Sequence, residues 1–197
     1  MRSFSLQALA LFFASASVAS ASLNVHNFCS YPIYIKQSHN GGCNKGTNTN
    51  ACDGASPPFV VKAGATYHLP MFTDKNSATS VKIAREQNMG KVTQFEYTPT
   101  DNTMFWDLSD IDGAGAARTG SPFKEANLKV SPVGKDLGAG TCKSIKCKKN
   151  EVCKDAYQFP DQTATHSCPI STTTFTLDIC VPDAQFTRRE VEVGFSA

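Results

Sequence analysis

Glu96, Asp107, Asp110 and Asp112 crowd into one stretch of this chain, Val92 to Gly113, which reads Val-Thr-Gln-Phe-Glu-Tyr-Thr-Pro-Thr-Asp-Asn-Thr-Met-Phe-Trp-Asp-Leu-Ser-Asp-Ile-Asp-Gly. Acids set beside hydrophobic anchors can accept hydrogen bonds from sugar hydroxyls. They can also do acid–base work, provided one carboxyl is kept protonated by burial or by a like charge while another stays ionised. The plainer use of such acids is to cap turns, and Asp112-Gly113 is a common turn pair. A calcium loop fails: with Asp110 and Asp112 as the first two ligands, Ala114 and Ser121 fall where carboxylates are needed.

The elements that must position these acids read as strands. Val92, Gln94 and Glu96 alternate with Thr93, Phe95 and Tyr97. Pro99, Asp101 and Asn102 mark a turn, and Met104, Phe105 and Trp106 lead the second strand, all three expected in the core rather than as a sugar platform. Further strands are expected around Leu23–Val25, Tyr31–Ile35, Phe59–Val61, Thr66–Leu69, Ser80–Arg85 and Thr172–Val181. No stretch shows a helical period. Gly/Asn/Thr-rich Asn40–Ser56 and Gly/Ala-rich Gly113–Pro122 read as loops. The pattern is that of an all-β sandwich or barrel.

The chain has 197 residues, with 19 basic and 17 acidic, which suggests one domain and excludes a nucleic-acid partner carried by basic excess. Residues 1–21 read as a secretory signal peptide: Arg2, an apolar run centred on Leu9–Phe13, and the small-x-small pattern Ala19-Ser20-Ala21. Cleavage after Ala19 is a close alternative. The apolar run is too short to span a membrane. All eight cysteines (Cys29, Cys43, Cys52, Cys142, Cys147, Cys153, Cys168, Cys180) lie beyond it, and an even number in an exported chain reads as four disulfides. Zinc at Cys142, Cys147 and Cys153 is disfavoured by the spacing, the four histidines are scattered, and no cofactor or metal is expected. The lysines around Cys147 are most simply a solvated face, with acidic polysaccharide or lipid headgroups as the alternative.

Four segments resemble the thaumatin-like proteins, and most of all the short secreted fungal antigens called yeast-phase-specific proteins. They are Asn27-Phe28-Cys29-Ser30-Tyr31-Pro32-Ile33-Tyr34, Gln94-Phe95-Glu96-Tyr97-Thr98, Phe105 to Gly113, and Cys153-Lys154-Asp155-Ala156-Tyr157 followed by Asp161, Cys168-Pro169 and Ile179-Cys180-Val181-Pro182. The resemblance implies a thaumatin-like β-sandwich over 22–184, in a small form lacking the disulfide-rich second domain because only Lys148–Val152 separates Cys147 from Cys153. Residues 185–197 would be a tail or an added edge strand. It implies the pairings Cys29–Cys180, Cys142–Cys168 and Cys147–Cys153, leaving Cys43 with Cys52. It also implies an acidic face of Glu96, Asp107, Asp112 and Asp161 directed at β-1,3-glucan. The family's arginine has no motif match here, and Arg85 or Lys91 is the candidate to replace it. For hydrolysis Glu96 is chosen as general acid, with Asp107 or Asp112 as base, and Tyr97 or Tyr157 as an exposed aromatic for stacking on a sugar.

Three functions follow as expectations: a secreted, monomeric module binding cell-wall β-glucan; a weak endo-β-1,3-glucanase; and an effector, antigen or hydrolase inhibitor acting on a protein through the loops at 40–56 and 113–122. The first is preferred, because a cleft with one wall missing excludes water poorly.

Overall fold

A computed structural model describes residues 21–39, 58–113, 121–134, 140–172 and 174–187. Residues 1–20 of the expected signal peptide, the Cys43–Cys52 pairing and the last ten residues lie outside them.

Two sheets form the molecule. One has five strands in the order β4 (Thr66–Pro70), β1 (Ser22–Asn27), β11 (Thr174–Ile179), β8 (Leu128–Val133) and β9 (Ile145–Cys147). The other has six: β10 (His166–Pro169), β7 (Thr103–Ser109), β6 (Thr93–Pro99), β5 (Thr79–Ala84), β2 (Ile33–His39) and β3 (Phe59–Val61). Alternation along each strand decides which side is buried. In β1, Leu23, Val25 and Asn27 point inward; in β11, Phe175, Leu177 and Ile179 do. The sheets meet where Phe175 packs on Phe95 and Trp106, with ring centroids 5.3 and 5.2 Å away. Each of these fully buried rings contributes about 1.5–3 kcal/mol of apolar burial. The all-β sandwich expected from the sequence is therefore present.

β1 and β11 pair in parallel, Leu23 beside Phe175 and Asn27 beside Ile179, and the Cys29–Cys180 bridge staples them just beyond their ends. Buried Asn27 donates to the carbonyls of Tyr31 and Val61, at 2.8 and 3.0 Å, and so shapes the crossing into β2. Cys142–Cys168 and Cys147–Cys153 are also formed, the latter closing a turn over Lys148–Glu151. Three of the four expected bridges are thus in place.

Several details differ from the sequence reading. Strands β8, β9 and β10 are additional. β8 contains Pro132, which argues against a strand; it is tolerated because the ladder to β9 stops at Val130, so among the described residues Pro132 has no ladder partner on that side. Residues Asp183–Phe186 form a single helical turn, α1, which crosses the boundary expected at 184.

Candidate functional site: an acid pair on the six-stranded sheet

Because Phe95 and Tyr97 face the core, Glu96 faces outward from β6, and in β7 the same alternation sends Phe105 and Asp107 outward around buried Trp106. Strand register then sets Glu96 directly opposite Asp107, and Ser80 of β5 directly opposite Glu96. Side chains so paired have Cβ atoms about 5 Å apart. Ser38, Ser80, Glu96, Asp107 and Thr165 line a shallow groove of about 450 Å³, with Phe105 at its side.

Two like charges face each other there, half withdrawn from water. Burial, with the Glu96 charge added, pushes the Asp107 carboxyl up to about 7. Asp107 Oδ1 is buried without a hydrogen-bond partner among the described residues. Burial also raises Glu96, but the Ser80 hydroxyl and the Lys82 charge oppose the rise. The Ser80 hydroxyl donates to Gln94 Oε1 at 2.9 Å and can turn instead to the Glu96 carboxyl beside it. Both carboxyls are raised, and Asp107, which has no such opposing partners among the described residues, is the one held furthest above its ordinary range. The sequence reading took Glu96 as the acid; the surroundings of Asp107 favour its protonated form more strongly.

Two lysines stand on this face, Lys82 of β5 and, directly opposite it on β2, Lys36; the one that acts on the acids is Lys82. It sits one outward step along β5 from Ser80, and its Nζ lies 3.0 Å from Asp112 Oδ2. Asp112 is carried by a 3-10 turn, Ile111–Gly113, immediately beyond β7. Arg85 is elsewhere, stacked over Tyr31 with its guanidinium carbon 4.4 Å from the ring centroid, and both Arg85 and Lys91 line a different groove.

Asp161 occupies a turn, Phe159–Gln162, closed by the Gln162 N–H on the Phe159 carbonyl. The segment before it runs beside the end of β7: Tyr157 N–H donates to the Leu108 carbonyl and Asp110 N–H to the Tyr157 carbonyl, both at 2.8 Å. Buried Asp110 accepts from Thr93 Oγ1 at 2.7 Å and Gln158 Nε2 at 3.2 Å, pinning the two segments together. Asp161 itself is exposed and joins neither the carboxyl pair nor the Lys82–Asp112 ion pair.

The aromatic expectations change as well. Tyr97 is 2% exposed; its oxygen accepts from Phe72 N–H at 2.8 Å, and burial pushes the phenol up to about 12. It is a core residue and offers no stacking surface. Tyr157 is half-buried, and its hydroxyl lies 2.7 Å from Thr165 Oγ1. Phe105, expected in the core, is 42% exposed beside the acid pair and is the accessible ring in the groove. Among the described residues no group of histidine, cysteine and acid side chains is placed to hold a metal. No helix among them is long and apolar enough to cross a membrane.

A two-sheet sandwich, the three bridges and an acidic outer face define a small thaumatin-like protein. The chain belongs to the family described as Blastomyces yeast-phase-specific protein, whose model matches residues 9–181. It is 31% identical over 119 residues to the secreted thaumatin-like protein calA of Emericella nidulans, covering 59% of this chain and 64% of that one. It is 29% identical over 153 residues to an antigenic thaumatin-like protein of Arthroderma benhamiae, covering 76% and 66%. The matches thus span just under two thirds of each relative's own length. Among solved structures, the protein elicitor MoHrip2 from Magnaporthe oryzae superimposes with a TM-score of 0.59 at 20% identity, over 82% of this chain and all of that one, which shows the fold. In keeping with such relatives, the protein is extracellular.

Proposed function

We propose that the outer face of the six-stranded sheet binds a β-glucan-type cell-wall polysaccharide. The observation that carries this reading is the Glu96–Asp107 pair: two carboxyls directly opposite each other in an open groove, with burial favouring the protonated form of Asp107. A neutral sugar chain offers hydroxyls that both donate and accept. Glu96 accepts, protonated Asp107 donates, and the serine and threonine hydroxyls of the groove do either. Phe105 supplies the flat apolar surface on which a pyranose ring stacks. The expected result is retention on insoluble β-1,3-glucan that falls at least several-fold in Asp107→Ala and in Phe105→Ala. Equal retention of the variants would refute the site. No retention of the wild type would shift the reading to contact with a protein through the loops at 40–56 and 113–122.

A second reading, weak endo-β-1,3-glucanase activity, draws on the same pair. Retaining glycosidases place their carboxyls about 5 Å apart, the spacing of directly opposed cross-strand neighbours. Asp107 would then be the acid and Glu96 the nucleophile. Binding is preferred because the face is open: Asp112 is 54% exposed, and nothing described closes over the pair to exclude water. Release of reducing sugar from laminarin decides. A rate unchanged in both Glu96→Gln and Asp107→Asn would eliminate the enzyme.

A further inference from the structure

Arg85, unused by the acid pair, stands in the larger groove of about 860 Å³ at the end of the sandwich. Its guanidinium carbon lies 4.4 Å from the centre of the Tyr31 ring, and a guanidinium held over an aromatic face can still donate through its N–H groups. Among the described residues no carboxylate forms a salt bridge with Arg85, Lys91 or Lys124, although Glu86 and Glu125 line the same groove.

The walls are built. Tyr31 is held from below: its carbonyl accepts from Asn27, and its hydroxyl lies 3.6 Å from Cys180 Sγ of the bridge to Cys29. The β5–β6 turn bearing Lys91 is tied by Met89 N–H on the Glu86 carbonyl and by Gly90 N–H on Asn88 Oδ1, at 3.1 and 2.9 Å. Met89 takes φ 57°, a left-handed conformation that the turn requires. On the other side, Ser121 Oγ lies 3.0 Å from Thr93 Oγ1, Phe123 is buried, and Asn150 N–H holds the Lys124 carbonyl. A second groove of about 400 Å³ shares Tyr31, Arg85, Pro122 and Glu125 with the first, so the two run on into one another.

We propose that this continuous groove binds an acidic, uronate-bearing oligosaccharide, with Arg85 as the carboxylate anchor. The planar guanidinium pairs two N–H groups with one carboxylate. Lys91 and Lys124 take neighbouring charges, while Glu86 and Glu125 accept from the sugar hydroxyls between them. A densely charged phosphate polymer fits less well, because Glu86 and Glu125 would repel it. The site is separate from the Glu96–Asp107 face, and its test is independent of glucan binding.

Titration calorimetry of the full chain with trigalacturonate at low salt tests the proposal. Affinity should fall at least tenfold in Arg85→Ala and severalfold in Lys91→Ala. It should not recover in Arg85→Lys, because an ammonium cannot reproduce the stacked fork. It should be unchanged in Asp107→Asn and in Lys146→Ala, a lysine on the other sheet. It should weaken as salt rises. Near-ultraviolet circular dichroism confirms that the variants are folded. No heat from the wild type, equal affinity in Arg85→Ala, or an equal loss in Lys146→Ala, the sign of adhesion to general positive charge, would each overturn it.

Discussion

Asp107 faces Glu96 squarely across the β6–β7 ladder, and one of its carboxyl oxygens is buried with no partner among the described residues. Opposed like charges weaken a sheet, so this pair sets stability against pH as well as shaping a site.

The first prediction concerns that balance. The Asp107 carboxyl is raised from 3.8 to about 7 in the folded chain, because burial and the Glu96 charge penalise its ionised form. The folded state therefore holds this proton more tightly than the unfolded state does. Its contribution is complete below about pH 4 and is lost as pH rises to about 7, a change on the order of 2–4 kcal/mol. Asp107→Asn removes the dependence. Urea unfolding at pH 5 and pH 8 should show the variant gaining on the wild type at the higher pH; parallel behaviour would contradict the burial argument.

Lys82, after the Ser80 hydroxyl, opposes the rise of the Glu96 carboxyl, and it pairs with Asp112. In Lys82→Met the Glu96 carboxyl should titrate at higher pH, as followed by carbon NMR of the side-chain carboxyl. Stability should change by less than about 1 kcal/mol, since the ion pair is largely solvated. An unmoved Glu96 titration would remove Lys82 from the site.

The bridges should differ in weight. Cys29–Cys180 closes a separation of 151 residues and Cys147–Cys153 one of 6. In the chain-entropy account these contribute about 5 and about 2 kcal/mol. Replacing the first pair by alanine should lower the melting temperature well beyond replacing the second, as measured by calorimetry.

The start of the folded chain is also open to measurement. The Ala21 carbonyl accepts from Met71 N–H at 3.0 Å, and Ala21 packs on the core. A chain beginning at Ser20 keeps both contacts, and one beginning at Ser22 loses them. The longer form should be more stable by about 0.5–1.5 kcal/mol. Intact-mass measurement of the secreted protein tests whether its chain starts at Ser20, at Ser22 or elsewhere.

How much of this was legible in the residues depended on whether a feature is local. Alternation in Gln94-Phe95-Glu96-Tyr97 exposes Glu96, and the same alternation already sends Tyr97 inward, against its use as a stacking ring. Met104, Phe105 and Trp106 read together as core, yet only one parity of a strand faces inward, so Phe105 emerges beside the acids. Lys82 was out of reach for another reason. Its place beside Glu96 depends on the β5–β6 register, which a turn with Met89 in the left-handed region determines. Arg85, only three residues on, leaves the sheet and serves a different groove. Asp161 matched a motif, but its turn is attached through Asp110 and Gln158, a buried hydrogen-bond link with no mark in local periodicity.

The neighbouring, co-directional placement of β1 and β11 has a consequence for manufacture. The first strand to emerge must wait for nearly the last before its sheet has a centre, and the bridge that locks them cannot close earlier. An incomplete chain on the ribosome therefore lacks the means to set into its final shape. That delay makes completion of the five-stranded sheet one of the last events in the making of the protein.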